Sequence, residues 1–125
     1  MSYKILIVED SPTMRSMITT TLAEFDDYET VEAGSGFEAM RELPRIKFDL
    51  IITDINMPNI NGLELVSFVK SHENYRNIPI IIVSTEGSEK DRKKGITLGA
   101  NEYLVKPFVP EELQSIVKRV LKERK

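Results

Sequence analysis

The chain has 125 residues, of which 41% are hydrophobic and 30% charged, with a net charge of −3 and no cysteine. This length suits one domain around one core, and the lack of cysteine excludes disulfides, thiol chemistry and thiolate metal sites. The small negative charge gives no general reason to bind nucleic acid; with no apolar run near the ~20 residues of a membrane helix and no signal-peptide pattern, a cytoplasmic address is expected.

Residues 4–8 (KILIV) are apolar without alternation, as in a strand buried on both faces of a parallel sheet, and they end in Glu9-Asp10. Ser11-Pro12 supplies an N-cap and a first-turn proline. The helix that follows carries Met14, Met17, Ile18, Leu22 and Phe25 on one face and is expected to stop near Asp26-Asp27. Residues 28–32 (YETVE) read as a more polar strand nearer the sheet edge. Ser35 and Glu38 have capping-box spacing for a second helix, which Pro44 closes.

The apolar run Leu50-Ile51-Ile52 ends abruptly in Thr53-Asp54, so Asp54 stands where a buried strand leaves the core, rigidly held and within reach of solvent. Asn61 and Glu64 repeat the cap spacing, opening a helix with Leu63, Val66 and Val69 as its stripe and Leu65 and Phe68 flanking it. His72, the single histidine, follows in a polar segment and reads as a surface residue at a helix end, which also rules out Cys-His zinc sites.

Residues 78–83 (IPIIIV) form a fourth strand running into Ser84-Thr85-Glu86. Ser88–Leu98 is the weakest helix, charged, interrupted by Gly95 and ended by Gly99, so a loosely held element is expected. Tyr103-Leu104-Val105 is a fifth short strand, ending in Lys106-Pro107. The last helix begins at Pro110, with acids at its start, the stripe Leu113, Ile116, Val117, Val120, Leu121, and Lys118, Arg119, Lys122, Arg124 and Lys125 toward its end.

Five strands alternating with five helices predict a doubly wound α/β fold, a parallel sheet between two layers of helices. Four strands end in a polar group: Glu9-Asp10, Asp54, Ser84 and Lys106. A strand order of 2-1-3-4-5 brings all four to one edge, with the switch point beside Asp54. Singly, each has a plainer role, as cap, turn residue or surface charge; jointly they describe a site. Three clustered carboxylates repel unless a cation intervenes, and oxygen ligands with few protein donors suit Mg2+ better than Ca2+. A divalent ion, an ammonium and a hydroxyl around one carboxylate form a cage for a phosphoryl group, with Asp54 as the nucleophile.

These residues resemble the two-component response-regulator receiver domains along the whole chain, through VED at 8–10, TDINMPNINGLEL at 53–65, IIVSTEG at 81–87 and GANEYLVKPF at 99–108. Within that family the chain looks most like the chemotaxis regulators, through SPTMR at 11–15, MPN at 57–59 and KPF at 106–108. The resemblance implies a (βα)5 flavodoxin-like receiver over residues 1–125 with no output domain. It implies that Asp54 is the phosphoacceptor, that Asp10 binds Mg2+ directly, Glu9 through water and Asn56 by its backbone carbonyl, and that Ser84 and Lys106 hold the phosphoryl oxygens. By the same analogy Lys106-Pro107 is cis, Ser84 and Tyr103 form the switch, and Asn56 and Glu86 tune dephosphorylation. The implied partners are a sensor histidine kinase as donor, a downstream target protein such as a flagellar motor switch, and a phosphatase, with the protein itself a monomer.

Glu9 stands where Asp is commonest, Ser84 replaces the usual Thr, and Asn61 replaces an Asp; none removes a required group. Two other readings are a phosphate-independent docking module and a phosphorelay intermediate. An aspartyl-phosphate hydrolase is disfavoured because Asn56 stands where that class needs a second Asp and the chain leaves no room for a cap domain. A flavin-binding domain is disfavoured because Glu9-Asp10 would repel the phosphate.

Overall fold

The computed structural model describes residues 2–85 and 89–123. Among these, five strands alternate with five helices: β1 (Tyr3–Val8), α1 (Pro12–Leu22), β2 (Tyr28–Ala33), α2 (Gly36–Glu42), β3 (Leu50–Asp54), α3 (Gly62–Ser71), β4 (Ile80–Ser84), α4 (Glu89–Leu98), β5 (Glu102–Val105) and α5 (Pro110–Glu123). The strands pair in parallel in the order β2-β1-β3-β4-β5. This is the doubly wound, flavodoxin-like arrangement expected, and its switch point lies between β1 and β3.

Alternating side chains divide the core into two layers. Ile5 and Ile7 of β1, with Leu50, Ile52, Ile81 and Val83, pack against Ile18 and Leu22 of α1 and Leu113, Val117 and Val120 of α5. Leu6 and Val8, with Ile51, Ile80 and Ile82, pack against Ala39 of α2, Leu65, Val66 and Val69 of α3, and Leu98 of α4. Every residue of β3 and β4 is buried, which is why their sequences show no alternation. The half-exposed β2 lies at the edge, as its polarity predicts.

The helix ends follow local chemistry. Ser11 caps α1 by accepting from Met14 N, and Asn61 and Glu64 form a complete capping box on α3. The expected box on α2 is only half made: Ser35 accepts from Glu38 N, but the Glu38 carboxylate takes the Gly34 N–H instead. In α3, Leu65 is buried and Leu63 only partly so, which rotates the stripe from the expected face. His72 caps the C-terminus of α3 and stacks on Tyr75 at 4.3 Å, the helix-end role expected of it.

Helix α1 stops at Leu22, short of Asp26-Asp27. Phe25 has the right spacing to extend the stripe, but it turns out of the helix to pack on Tyr28 at 5.3 Å beneath the Lys118 ammonium. In α4, only Gly95 is buried. A Cβ there would meet Ile82 Cδ1 at 2.7 Å, so this glycine lets a poorly anchored helix lie close to β4. Ser88, the expected start of α4, and the terminal Arg124 and Lys125 lie outside the described residues. Among the described residues no helix is long and apolar enough to cross a membrane.

Candidate functional site

Register builds the site. Val8 pairs with Thr53 and Asp54 with Val83, so Glu9, one residue beyond Val8, arrives level with Asp54. Glu9 N donates to Ala33 O, extending the ladder past β1. On the other flank Ser84 pairs with Val105, and Lys106 N donates to Ser84 O at 2.8 Å, holding the first residue after β5 over the end of β4. The Lys106-Pro107 peptide is cis, as the family resemblance implies.

The loop after β3 is equally constrained. Met57 N and Gly62 N both donate to Ile55 O, and Asn59 takes a left-handed φ of 69°, which asparagine tolerates. A Cβ on Gly62 would stand 2.0 Å from the Asp54 carbonyl oxygen, so glycine alone allows the α3 N-terminus to abut the end of β3. Asn56 is exposed in this loop, two residues beyond Asp54.

Three charged groups are almost wholly buried together: Glu9 at 2% exposure, Asp54 at 6% and Lys106 at 8%. Lys106 Nζ lies 2.9 Å from Glu9 Oε1 and 3.6 Å from Asp54 Oδ1, so it bonds to Glu9 and attracts Asp54 only through space. Asp54 Oδ1 accepts no hydrogen bond, although it is buried. Burial, and secondarily the Glu9 carboxylate, push the Asp54 pKa up from 3.8 to about 6, against the pull of Lys106 and the Ile55 amide. Asp10 is exposed at the rim, and Glu9, Asp10 and Asp54 each offer an oxygen, all within 4.8 Å of one another.

The sequence-predicted residues therefore divide. Glu9, Asp10, Asp54 and Lys106 come together. Ser84 is fully buried at the end of β4 beside them, and Tyr103 is half-buried on β5, opposite Ile82, against the core layer that α3 and α4 cover. Glu86 lies outside the described residues. Arg15 was not foreseen as a site residue. Its Nη1 donates to the Glu9 carbonyl at 2.7 Å and its Nε to Glu32 at 2.9 Å, tying the acidic turn to the edge strand. The available sign was a base one helical turn after the acidic pair.

The donor set fits a hard divalent cation. It is all oxygen, it carries more negative charge than the one Lys106 ammonium balances, and it includes a buried carboxylate oxygen without a hydrogen bond. Asp54 Oδ1 accepts no hydrogen bond, whereas each Glu9 oxygen already accepts one, from Lys106 and from Ser11 N at 3.2 Å.

Comparison with known proteins agrees with this geometry. The family model described as "Response regulator receiver domain" matches residues 5–118. The chain is 41% identical over 119 residues to a chemotaxis protein CheY homolog of Campylobacter jejuni, covering 94% of this chain and 92% of that protein. The solved structure of Vibrio cholerae chemotaxis protein CheY4 superposes with a TM-score of 0.89 at 38% identity, covering 96% of this chain and 99% of that one. The receiver domain of a sensor histidine kinase from Pseudomonas aeruginosa, solved with a magnesium ion coordinated in its active-site cleft, has a TM-score of 0.88 at 31% identity and covers 98% of this chain and 99% of its own. A buried strand-end aspartate flanked by acids and a lysine, on this sheet order and with this breadth of similarity, makes the chain a member of the response regulator receiver domain family.

Proposed function

We propose that this receiver takes a phosphoryl group from a histidine kinase onto Asp54, with Mg2+ as cofactor, and that the phosphorylated form changes its affinity for a downstream protein in chemotaxis-type signalling in the cytoplasm. The observation that carries this reading is the Asp54 carboxylate: buried, free of a hydrogen bond at Oδ1, and set between Lys106 and two acids. An Asp54 oxygen forms the new P–O bond as the P–N bond of the donor phosphohistidine breaks, and the imidazole leaves. Asp10 and Asp54 would hold the ion, with the Asn56 carbonyl beside them. When bound, it neutralises charge on the transferred oxygens. Lys106 supplies the second positive charge, and the Ser84 hydroxyl supplies a donor to a phosphoryl oxygen. Ile55, Met57 and Gly62 hold the loop rigid, so that transfer requires little reorganisation of the backbone.

Phosphorylation adds roughly −1.5 to −2 charges. Movement of Ser84 toward a phosphoryl oxygen, followed by Tyr103 turning inward, would carry the signal to α4, β5 and α5. Support for that face comes from the shallow anchoring of α4 and from the exposed apolar Ile96, Val105 and Val109. Asn56 would flank the path of the water that removes the phosphoryl group, with or without a phosphatase. Incubation with phosphoramidate and Mg2+ should add one phosphoryl mass to the wild type and none to Asp54→Ala; an equal gain in both would refute the assignment. A phosphorelay intermediate is the second reading, favoured by similarity to a histidine-kinase receiver. Return of the phosphoryl group to a histidine-bearing domain would select it.

A further inference from the structure

At the opposite edge of the sheet from Asp54, the loops leading into β3 and β4 line a cavity of about 630 Å³. They meet because these strands are neighbours, with Ile51 N donating to Pro79 O at 3.0 Å. The floor is apolar and closed: Leu43, Phe48 and Ile78 are buried core side chains. Ile46 and the Tyr75 ring, both half-buried, extend that apolar lining. The rim differs. Arg45 and Lys47 come from the first loop and the amides of Asn74 and Asn77 from the second, all four exposed. Among the described residues no acid lines the cavity, although the chain as a whole carries a charge of −3. Glu42 reaches Arg45 only at 3.8 Å.

The walls are fixed in advance. Arg45 N and Ile46 N both donate to Glu42 O, Tyr75 N and Arg76 N to His72 O, and Ile78 N to Tyr75 O. Lys70 Nζ donates to the carbonyls of Arg76 and Ile78 at 3.1 and 2.7 Å, and the His72 ring stacks on Tyr75 at 4.3 Å. Walls held in this way lose little freedom when the cavity is filled. Its volume falls within the ~300–1,000 Å³ of small-molecule sites.

We propose that this cavity is a second binding site, for a small aromatic carboxylate. The planar apolar body lies against Tyr75, Ile46 and the buried floor, and the carboxylate is held by Arg45 and Lys47. The guanidinium offers a fork that matches a carboxylate, and the ammonium adds a point charge. A bare inorganic anion would leave the apolar floor uncovered, and a hard metal ion would find no carboxylate in the lining. The cavity lies at the far end of β3 and shares no residue with the phosphoacceptor site, so neither reading depends on the other.

The test is a titration of 15N-labelled protein with 2-naphthoate, with neutral 2-naphthylmethanol and with acetate. 2-Naphthoate should shift the backbone amide signals of residues 43–48 and 74–78 in a saturable way, with a dissociation constant of about 1 mM or tighter. The alcohol and acetate should each bind at least about tenfold more weakly. Arg45→Gln combined with Lys47→Gln changes only exposed side chains, and its own spectrum reports that it is folded. This variant should bind 2-naphthoate on the order of tenfold more weakly and the alcohol as the wild type does. Shifts that do not saturate, or that centre on other loops, would overturn the site. Equal affinity for the alcohol or for acetate, or unchanged 2-naphthoate affinity in the variant, would overturn the ligand class.

Discussion

At the scale of single residues, the proposed chemistry turns on an aspartate whose ionised form is disfavoured by burial. The Asp54 pKa is raised to about 6, chiefly by burial and then by Glu9. A raised carboxylate pKa means that the folded protein binds the proton more tightly than the unfolded chain does. The stability Asp54 contributes is therefore fully present below about pH 4 and is lost as pH rises through about 6. Asp54→Asn should accordingly stabilise the ion-free protein above pH 7 by about 1–2 kcal/mol, allowing for solvent near the rim. Urea unfolding across pH should show that gain shrinking to nothing near pH 4; a constant gain would contradict the titration. Gly62 offers a purely steric counterpart. Gly62→Ala sets a Cβ 2.0 Å from a backbone oxygen that cannot move aside, so a loss of about 3 kcal/mol or more is expected in the same assay.

At the scale of elements, the strands were legible because a parallel sheet covered on both faces leaves runs such as IIIV unalternated. The caps at Ser11 and Asn61 were legible too, since their chemistry is local. Phe25 was not. Its spacing suits α1, and only the ring contacts with Tyr28 and Lys118, the latter from α5, show why it leaves the helix. Gly95 reads in sequence as a flaw in α4, yet its missing Cβ fits the helix against Ile82. With Gly95 its only buried residue, α4 should show the fastest native-state hydrogen exchange of the five helices, and protection equal to that of α5 would contradict the expectation of loose anchoring. Asn61→Ala, which removes the capping box on α3, should cost about 1 kcal/mol by denaturant midpoint.

At the scale of the whole molecule, topology does what no single segment can. Glu9 and Lys106 lie 97 positions apart, and β1 and β5 are separated in the sheet by β3 and β4. The sequence pattern was enough to predict that the acids and the lysine share an edge. It could not say which acid lies nearer the lysine, because 2.9 Å to Glu9 against 3.6 Å to Asp54 depends on a single methylene of reach. The assembled cluster should also make stability depend on metal by mass action, worth about 2.7 kcal/mol when the ion is at a hundred times its dissociation constant. Mg2+ should raise the urea midpoint of the wild type and leave that of Asp10→Asn nearly unchanged; equal shifts in both would mean that the ion binds elsewhere.

The most direct test of the account is where the phosphoryl group comes to rest. Protein treated with phosphoramidate and Mg2+, reduced with borohydride and mapped by peptide mass spectrometry, should carry homoserine at position 54 and nowhere else. Reduction at position 10, at another carboxylate, or at none would contradict it.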